Sequence, residues 1–533
     1  MYLNDLNKNK GLGLMMDSAL CDTTNDRDRY IARIDVYSHC FVMSRHRPAA
    51  YNLAHSFSSR YVEHDLVKMG HRFVKKPKRV YAAATVDRRE FRFHINALES
   101  FLNHAQLNHV KRDEFDFRYH TASEYETHIF KVIDKRSPRA AQVPLIDYLT
   151  ADGITKVLAL NTGGGKTFCA LTAIARLKRR TIINLPGKFV EKWKGDVEEA
   201  FDLKSGEFYV IRGAKDLKNV MNLAISGELE AGILIITLGT MQNYIKEYEQ
   251  KHPTEFSYPI RPIDFYQQLG IGLRITDEAH MMFHLNFKIE TYTHINKVCY
   301  LSATLDKGDP FLDSIIEIMY PPKLRMKGEA PPKYIDVFAL AYSFKEPKRV
   351  PHKRRGSYSH TRLEESILTQ ANRTDEYLEL IEFAVNKYYV EDKLAGQKLL
   401  VYAATVQMCD HIVERLSEDI TNLSIARYVS EDDYSVLMSN DIVVTTLGSA
   451  GTAVDIEDLS RVILTVSQGS LQGNQQVLGR LRELKNYPGE HPKFIYIFAK
   501  NIDKHVAYHN QKPEQLAHMC RSFTTEETQW VIS

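Results

Sequence analysis

Long apolar runs are missing from this chain. No apolar stretch in its 533 residues approaches the roughly 18 residues that a helix needs to span a bilayer. Residues 1–10 are polar and do not resemble a signal peptide. We therefore expect an intracellular, cytoplasmic protein that has no membrane partner.

Cysteine is scarce and scattered. The six cysteines include no C-x-x-C pair, which argues against a zinc site and against a disulfide framework. Solenoid-type repeats and low-complexity tracts are also absent, so a repeat architecture is not expected. The composition, with 44% hydrophobic and 26% charged residues, is that of a globular protein, and the length predicts two to four domains.

Positive charge is concentrated in two segments, although the net charge of the whole chain is only +3. Residues 68–92 hold nine Lys or Arg and two acids, and residues 345–355 hold six Lys or Arg and one acid. Local basic segments on a nearly neutral chain indicate contact with a polyanion at defined places. A solvated surface would give the same pattern, so both interpretations stay open.

From about Ser137 onwards, short β-rich runs alternate with amphipathic helical stretches, which predicts parallel βαβ units. The first series of predicted strands covers residues 156–160, 181–185, 232–238, 273–276 and 298–301. The second series covers residues 334–341, 398–403, 441–446, 461–466 and 493–498, after a predicted proline-rich, basic loop over residues 321–351. The chain before these series predicts a small α+β module.

A glycine-rich loop follows the first predicted strand. Residues 160–167 read L-N-T-G-G-G-K-T and precede a predicted helix over residues 168–177, which is the context of a phosphate-binding loop. The run Gly163, Gly164 and Gly165 lets backbone N–H groups turn towards phosphate oxygens. Lys166 then supplies a cation to the β- and γ-phosphates of ATP, and the Thr167 hydroxyl can ligate Mg²⁺. Leu160 stands where the common pattern has its first glycine, and a chance glycine-rich turn is the alternative.

An acidic pair closes another predicted strand. Residues 275–280 read I-T-D-E-A-H, so both acids emerge at the carboxyl edge of a sheet, where α/β proteins bind ligands. Asp277 can hold Mg²⁺, usually through water, and Glu278 can orient or deprotonate the attacking water. We expect ATP and Mg²⁺ as the cofactors of this site.

The order of the short motifs resembles that of the superfamily-two helicases over residues 137–500. In the first series, T-G-G-G-K-T resembles motif I, and L-P-G-K-F-V-E-K-W (185–193) resembles motif Ia. The sequence I-I-T-L-G-T-M (235–241) resembles the next strand-end motif. D-E-A-H resembles motif II, and L-S-A-T-L (301–305) resembles motif III. In the second series, L-L-V-Y-A-A-T (399–405) resembles motif IV, V-V-T-T-L-G-S-A-G-T-A-V-D-I (443–456) motif V and Q-Q-V-L-G-R-L-R (475–482) motif VI. P-R-A-A-Q (138–142) resembles the R-x-x-Q element that reads adenine.

The resemblance extends the set of candidate site residues. The catalytic candidates are Lys166, Asp277, Glu278, Gln476, Arg480 and Arg482. The nucleotide-binding candidates are Gln142, Thr162, Gly163, Gly164, Gly165, Lys166, Thr167 and Asp455, with Thr167 and Asp277 as metal ligands. The nucleic-acid-binding candidates are Pro186, Gly187, Lys188, Thr237, Thr405 and Thr446. In motif III, the resemblance implies that Ser302 and Thr304 link the ATP site to strand binding.

Two positions depart from the family pattern. Ala453 stands where motif V usually has a glycine, two residues before its acid, which implies a slightly altered loop. Glu483 stands where motif VI commonly has its second arginine, and Arg482 lies one residue earlier. The sequence leaves open whether Arg480 or Arg482 reaches the γ-phosphate.

The resemblance implies an α/β fold with two tandem RecA-like domains, over residues 131–325 and 326–533, after an accessory, DNA-contacting domain over residues 1–130. The details look most like the phage recombination helicases of the UvsW kind and the RecG-like branch-migration group, which would place a phage-encoded protein in the host cytoplasm. The implied function is an ATP-dependent DNA helicase or translocase that remodels branched DNA in recombination, replication or repair. An RNA helicase and a non-catalytic, ATP-gated nucleic-acid clamp are the alternatives.

The amino-terminal module is the predicted substrate selector. Lys75, Lys76, Lys78 and Arg79 surround Pro77, which favours an extended or turned loop able to reach a duplex. Such a basic segment would release counterions when it binds a phosphate backbone. These residues could instead only keep a small domain soluble.

Overall fold

The computed structural model describes residues 29–69, 72–85, 88–122, 125–160, 164–302, 305, 309–328, 333–354, 356–429, 432–433, 435–449 and 456–533. Three larger sheets and two hairpins account for the strands of this part of the chain. The sheets follow one another along the sequence, since each is built from one continuous range of residues.

The amino-terminal module (residues 32–119) is a small α+β unit. Its elements are β1 (Ala32–Val36), β2 (Cys40–Ser44), α1 (Pro48–Ser58), β3 (Val62–Met69), β4 (Arg72–Val80), β5 (Ala83–Ala84), β6 (Phe91–His94), α2 (Leu98–Leu107) and β7 (Phe115–Tyr119). Five strands form a sheet in the order β5-β6-β2-β1-β7, in which only β1 and β7 run parallel. The remaining strands, β3 and β4, pair with each other alone as the amino-terminal hairpin.

The amino-terminal hairpin corrects one prediction. The basic residues around Pro77 lie in strand β4 and are not part of a loop. Pro77 pairs with His64 next to a register shift between Glu63 and His64. A proline has no N–H group to give to a ladder, and irregular edge positions of this kind tolerate it.

The first parallel sheet has seven strands in the order β10-β11-β9-β12-β13-β8-β14, and all its pairings are parallel. Its strands are β8 (Thr155–Ala159), β9 (Thr181–Leu185), β10 (Phe208–Ile211), β11 (Ile233–Thr237), β12 (Leu273–Thr276), β13 (Val298–Ser302) and β14 (Arg325–Lys327). Its helices are α3 (Val143–Thr150), α4 (Lys166–Leu177), α5 (Val190–Ala200), α6 (Gly213–Ser226), α7 (Leu238–Gln250), α8 (Phe265–Gln268), α9 (Phe283–Glu290) and α10 (Pro310–Met319).

The two faces of the first parallel sheet have different partners. Helices α3, α4 and α5 cover one face, with Trp193 and Ile146 among the buried residues of that core. On the other face, a single continuous core joins residues of α9 and α10 with residues of the amino-terminal module, among them Phe57 and Phe101. The two units share one continuous core, so the module is packed onto the sheet.

The second parallel sheet also has seven strands and only parallel pairings, in the order β19-β20-β18-β21-β22-β15-β23. Its strands are β15 (Ile335–Phe344), β18 (Lys398–Ala403), β19 (Ile425–Tyr428), β20 (Ile442–Thr446), β21 (Leu459–Leu464), β22 (Lys493–Ala499) and β23 (Cys520–Ile532). Its helices are α11 (His360–Ile367), α12 (Ala371–Val385), α13 (Val406–Asp419), α14 (Ser435–Ser439), α15 (Leu471–Leu478) and α16 (Asp503–Leu516). A small hairpin, β16 (Lys353–Arg354) with β17 (Ser357–Tyr358), lies between β15 and α11.

The predicted fold class is confirmed: the chain is α/β, with two tandem parallel sheets flanked by helices and a small α+β unit before them. The ten predicted strands all exist, and three of them have the predicted bounds. The loop predicted over residues 321–351 is wrong over β14. It also overlaps the predicted strand at residues 334–341, where the structure has β15. The domain boundaries at residues 130 and 325 stay a prediction.

Within the part of the chain that the structure describes, no helix combines the length and the apolar character that crossing a membrane requires.

Candidate ATP and nucleic-acid site

Four neighbouring strands bring the predicted motifs of the first series to one edge. The strands β9, β12, β13 and β8 are adjacent in the sheet and parallel. The carboxyl ends of parallel strands share one edge. The glycine-rich loop, the D-E-A-H sequence, Ser302 and Pro186 each follow one of these strand ends, so the sheet topology gathers them.

The glycine-rich loop leads directly into helix α4. Gly165 caps the helix with a left-handed φ of 83°, a conformation in which glycine has no steric cost. The Lys166 ammonium donates to the Leu160 carbonyl over 3.0 Å, so its charge lies beside the strand end. The Leu160 side chain fills the space next to Gly164, where an added Cβ would meet it at 2.5 Å. This contact shows how the loop accommodates Leu160 in place of the usual first glycine.

Gln142 lies against the same loop. Its side chain is 6% exposed, donates to the Gly164 carbonyl over 3.4 Å and accepts from the Arg139 backbone N–H over 3.0 Å. The R-x-x-Q segment therefore folds into a turn whose glutamine faces the phosphate-binding loop from outside the sheet.

Asp277 is buried and held by two donors. The Trp193 indole N–H donates to one carboxylate oxygen over 2.8 Å, and the Glu278 backbone N–H donates to the other over 2.9 Å. Burial, together with the neighbouring Glu278 charge, raises the pKa of Asp277 to about 6, while Lys166 and the Trp193 hydrogen bond act in the opposite direction. Lys166 and Asp277 therefore interact across the site.

Glu278 has a strained backbone, with φ at 49°. A non-glycine residue in this region costs free energy and is typical of functional sites. Its carboxylate lies 3.4 Å from Nδ1 of His280, and that same nitrogen lies 2.9 Å from the Ser302 hydroxyl. His280 and Ser302 are both buried, so the D-E-A-H sequence is connected to the end of β13.

The turn after the D-E-A-H sequence is fixed from beneath. The buried Asn286 amide donates to the carbonyls of Ala279 and Met281, at 3.1 Å in each case. Met282 precedes α9 with φ at 47°. Glu278 and Met282, which both have a left-handed backbone, thus lie at the two ends of this turn. Helix α9 holds the turn through the hydrogen bonds to its carbonyls.

The predicted motif Ia residues follow strand β9. Pro186 precedes a single 3₁₀ turn, Gly187–Phe189, that contains Lys188. Burial and the nearby Arg480 lower the pKa of Lys188, while Glu278 acts in the opposite direction. Lys188 therefore lies within electrostatic reach of a carboxylate on the first sheet and an arginine of the second.

The two candidate arginine fingers have different surroundings. Arg480 is 6% exposed and hydrogen-bonds to the buried Tyr402 hydroxyl of strand β18. Arg482 donates to the carbonyls of Gly479 and Leu481, on its own turn. Gln476 lies half-buried on α15, one turn before these arginines. Arg480 is the arginine that lies towards Lys188 and the first sheet.

Three predicted nucleic-acid contacts are threonines at strand ends. Thr237 and Thr405 cap the helices α7 and α13, with their hydroxyls accepting from the backbone three residues on. Thr446 accepts from the Ser449 N–H over 3.3 Å in the same manner. Their hydroxyls therefore shape the loops at the sheet edges.

Several predicted residues lie outside the described part of the chain. These are Thr162, Gly163, Thr304, Ala453 and Asp455.

The oxygen donors present suit Mg²⁺. Thr167 follows Lys166 in the first turn of α4, half-buried, and Asp277 supplies a carboxylate. Mg²⁺ binds proteins through one or two such oxygens, with water and phosphate completing its octahedron. No group of three or more His, Cys, Asp or Glu that could hold a metal occurs among the described residues, so any metal here depends on this sparse set and the nucleotide.

Sequence reasoning missed the partners that lie far away along the chain. Trp193 was within motif Ia but was not recognised as a hydrogen-bond donor to the Asp277 carboxylate, 84 residues away. Glu364 was not singled out, although its buried carboxylate accepts from the Thr405 N–H over 2.8 Å and the Thr405 hydroxyl over 2.9 Å. Tyr402 and Asn286 were also missed. No periodicity in the sequence signals such pairs.

Comparison with known proteins gives one family match. Residues 127–307, about a third of the chain, match the family model described as type III restriction enzyme, res subunit. This range contains the glycine-rich loop and the D-E-A-H sequence, and it supports a superfamily-two helicase-type ATPase in this part of the chain. None of the curated proteins compared with the chain matches its sequence.

Similar solved structures include two complexes of a variant of S. cerevisiae Dbp5. One, bound to a Gle1 variant and IP6, has a TM-score of 0.47 and 11% identity, and the alignment covers 74% of this chain and 89% of that one. The other, bound to RNA, ADP and BeF3, has a TM-score of 0.48 and 12% identity, and the alignment covers 74% of this chain and 91% of that one.

Proposed function

We propose that the protein is an ATP-driven DNA helicase or translocase whose ATP site is divided between the two parallel sheets. The observation that carries this proposal is the position of Lys188, which interacts electrostatically with both Glu278 and Arg480. The acid expected to activate water and an arginine of the second sheet therefore face the same cleft. A match to a helicase-type ATPase over residues 127–307 supports the chemistry.

ATP hydrolysis would proceed as follows. The ammonium of Lys166, now resting on the Leu160 carbonyl, would move to the β- and γ-phosphates. Glu278 would take the proton of the attacking water, and its strained backbone holds the carboxylate at the strand end. Arg480 would meet the charge that develops on the γ-phosphate, and such arginine fingers are worth about 10³ to 10⁵ in rate. Gln142 lies where it can contact the adenine side of the loop.

Bound Mg²⁺ would neutralise phosphate charge, with Thr167 and Asp277 as the residues that hold it. Trp193 keeps the Asp277 carboxylate in one orientation through its indole N–H. The protein would thereby hold its metal-binding oxygen in place before nucleotide arrives.

Motion follows from the divided site. An arginine of the second sheet that pairs with the γ-phosphate draws the two sheets together, and hydrolysis removes that pairing. In the first sheet, Pro186, Gly187 and Lys188 follow one strand and Thr237 ends another. In the second sheet, Thr405 follows one strand and Thr446 ends another. Loops on both sides that grip one backbone would shift it with every cycle. Backbone contacts carry no sequence information, so we expect little sequence preference.

We further propose that DNA with branch points is the substrate and that remodelling in recombination, replication or repair is the task. The motif order most resembles the UvsW-type and RecG-like helicases, and the amino-terminal module carries a basic strand outside the two sheets. In this proposal residues 1–130, 131–325 and 326–533 form the accessory, ATP-binding and carboxyl-terminal helicase domains.

The test is ATPase activity with no nucleic acid, with DNA and with RNA, followed by unwinding of forked, four-way and linear duplexes. We expect turnover that rises with DNA, and unwinding that is strongest on branched substrates. Stimulation by RNA alone would show an RNA helicase. Nucleotide-dependent binding without turnover would show a clamp and overturn the motor.

A further inference from the structure

The second basic segment, residues 345–355, has no role in the divided ATP site. Part of it forms the hairpin β16–β17, where Lys353 and Arg354 are exposed and Gly356 turns the chain with φ at 84°. Arg355 lies outside the described residues. Arg349 pairs with Glu346 over 2.7 Å. Within the described ranges, Lys353 and Arg354 have no acidic partner, so their charges face solvent.

The base of this hairpin is fastened to the sheet through Tyr358. Its hydroxyl lies 2.6 Å from Nδ1 of His360 and 2.5 Å from Nε2 of His505. Both histidines are buried. A tyrosine hydroxyl can donate one hydrogen bond and accept another, so one hydroxyl joins the hairpin to the start of α11 and to α16.

Backbone donors fix the direction of these hydrogen bonds. The Ala499 N–H donates to Nδ1 of His505 over 2.9 Å, which places the proton of that ring on Nε2, facing Tyr358. The Ser467 N–H donates to Nδ1 of His360 over 3.1 Å, so that nitrogen is an acceptor and Tyr358 donates to it.

Glu364 lies one turn along α11 from His360, and that helix extends the connection. Its carboxylate accepts from the backbone N–H groups of Ala404 and Thr405, each over 2.8 Å. Its side chain is fully buried, 3.6 Å from Nε2 of His360. Buried polar groups linked in this way rigidify the surrounding backbone.

The network holds three neighbouring strand ends. Ala404 follows β18, Ser467 follows β21 and Ala499 ends β22, and these three strands are adjacent in the second sheet. The loop after β18 is motif IV, and the segment after β21 leads into α15 with motif VI. A displacement of the β16–β17 hairpin would therefore be transmitted to both motifs through the hydrogen bonds of Tyr358.

We propose that the hairpin β16–β17 is a second contact for the sugar–phosphate backbone of nucleic acid, and that Tyr358 couples this contact to motifs IV and VI. The inference rests on the proposed function. Two uncompensated cations on an extended hairpin suit a polyphosphate chain. The hairpin contacts do not depend on the nucleotide sequence. When nucleic acid binds the hairpin, the hydrogen bonds of Tyr358 make that binding favour one arrangement of the loops of motifs IV and VI.

The charge test compares K353Q/R354Q with K485Q/K504Q, which removes two exposed lysines from the same part of the chain. Binding of a forked DNA is measured against salt concentration. Removal of one cation that binds a phosphate lowers the slope of log K against log salt by about 0.7 to 0.9. We expect K353Q/R354Q to lower the slope by about 1.4 to 1.8, and the control to leave it unchanged. Equal slopes in wild type and K353Q/R354Q would overturn the contact.

The coupling test removes one hydroxyl. Tyr358→Phe should leave DNA affinity within about twofold of wild type and lower the ratio of DNA-stimulated to unstimulated ATPase roughly threefold or more. Tyr389→Phe is the matched control, because its hydroxyl donates to the Gln397 carbonyl before β18, at the opposite edge of the sheet. An unchanged ratio in Tyr358→Phe, or an equal fall in both variants, would overturn the coupling.

Failure of the inference is separable from failure of the proposed function. If wild-type protein shows no ATPase stimulation by any nucleic acid, the motor proposal fails. If wild type is stimulated and both hairpin variants behave as wild type, only the hairpin proposal fails. Thermal unfolding midpoints of all variants verify that each is folded.

Discussion

Trp193 donates its indole N–H to the Asp277 carboxylate over 2.8 Å. The ring is 1% exposed and belongs to α5, so the last residue of the predicted motif Ia holds the carboxylate expected to serve Mg²⁺. The arrangement is that of an outer residue orienting a metal ligand, and loss of such partners typically costs about 10- to 100-fold in affinity or activity.

Trp193→Phe should therefore raise the Mg²⁺ concentration for half-maximal ATPase activity by roughly tenfold. Phenylalanine keeps most of the buried ring and removes only the donor. Trp530→Phe is the control, because the chain has only two tryptophans and Trp530 lies on β23, away from the site. An unchanged Mg²⁺ requirement in Trp193→Phe would contradict the role of this hydrogen bond.

Two substitutions separate ATP binding from ATP hydrolysis. Lys166→Ala should abolish turnover, because the γ-phosphate loses its fixed cation. Glu278→Gln should keep binding of a fluorescent ATP analogue and lower turnover by roughly 10² to 10⁴. The exposed Glu255 offers a neutral control in Glu255→Gln. Turnover at the wild-type rate in Glu278→Gln would show that the assigned base is wrong.

The divided site makes a prediction about the two arginines. Arg480 lies near Lys188 and binds Tyr402, whereas Arg482 is bound to carbonyls of its own turn. Arg480→Ala should lower ATP turnover by about 10³ or more and retain DNA binding, and Arg482→Ala should have the smaller effect. Turnover is measured at saturating ATP and DNA. A larger loss in Arg482→Ala would reverse the assignment. Turnover at the wild-type rate in both variants would contradict an ATP site divided between the two sheets.

The basic side chains of the amino-terminal hairpin fall into two groups. Lys78 lies 3.0 Å from Glu63 and 3.1 Å from Asp65, and Arg79 lies 3.4 Å from Glu63. Lys75 and Lys76 are exposed. Asp65 lies opposite Lys76 in the ladder but forms its ion pair with Lys78. Of the four bases proposed for substrate selection, these two are the ones free to meet phosphate.

We therefore expect K75Q/K76Q to weaken binding of branched DNA. The slope of log K against log salt should fall by about 0.9 for each lysine that binds a phosphate in wild type. K78Q/R79Q should change the slope less, since those charges are already compensated. ATPase stimulation by single-stranded DNA should survive in both variants. Branched-DNA affinity and slope at wild-type values in K75Q/K76Q would assign the module another task, such as docking a protein.

Burial raises the pKa of Glu364 from 4.5 to about 7. The folded protein therefore retains this proton at pH values where the unfolded chain releases it, and stability is lost as pH rises from about 4.5 to about 7. A shift of this size corresponds to roughly 3 kcal/mol. Glu364→Gln has no such proton. We therefore expect the difference between its unfolding midpoint and that of wild type to shift in favour of the variant between about pH 5 and pH 7.5. Parallel midpoints at both pH values would contradict the shift.

The interior of both sheets could be predicted because their strands are nearly continuous apolar runs. β9 reads T-I-I-N-L and β18 reads K-L-L-V-Y-A, and the bounds predicted for both are the observed ones. The edge strands gave weaker signals. β10 and β19 are only half-buried, and β23 is a 13-residue strand rich in polar residues. Strands that face solvent on one side need no apolar run, so their sequences read as loops.

The site divides in a similar way. Lys166, Asp277 and Glu278 could be found because a phosphate loop and an acidic pair are contiguous in the sequence. The partners of these residues come from tertiary contacts: Glu364 reaches Thr405 from 41 residues away, and Trp193 reaches Asp277 from 84. A single sequence records no such pairing.

The core shared by the amino-terminal module and the first sheet bears on how the chain is made. Synthesis supplies the module before the first parallel sheet, yet Tyr81 packs against Phe283, Phe287 and Phe311, which follow the last strand of the module by roughly 160 residues or more. At ordinary elongation rates that interval lasts roughly 10 to 30 s. The apolar face of the module must wait for those residues on the ribosome, so the module is translated before the first sheet but cannot finish folding before it.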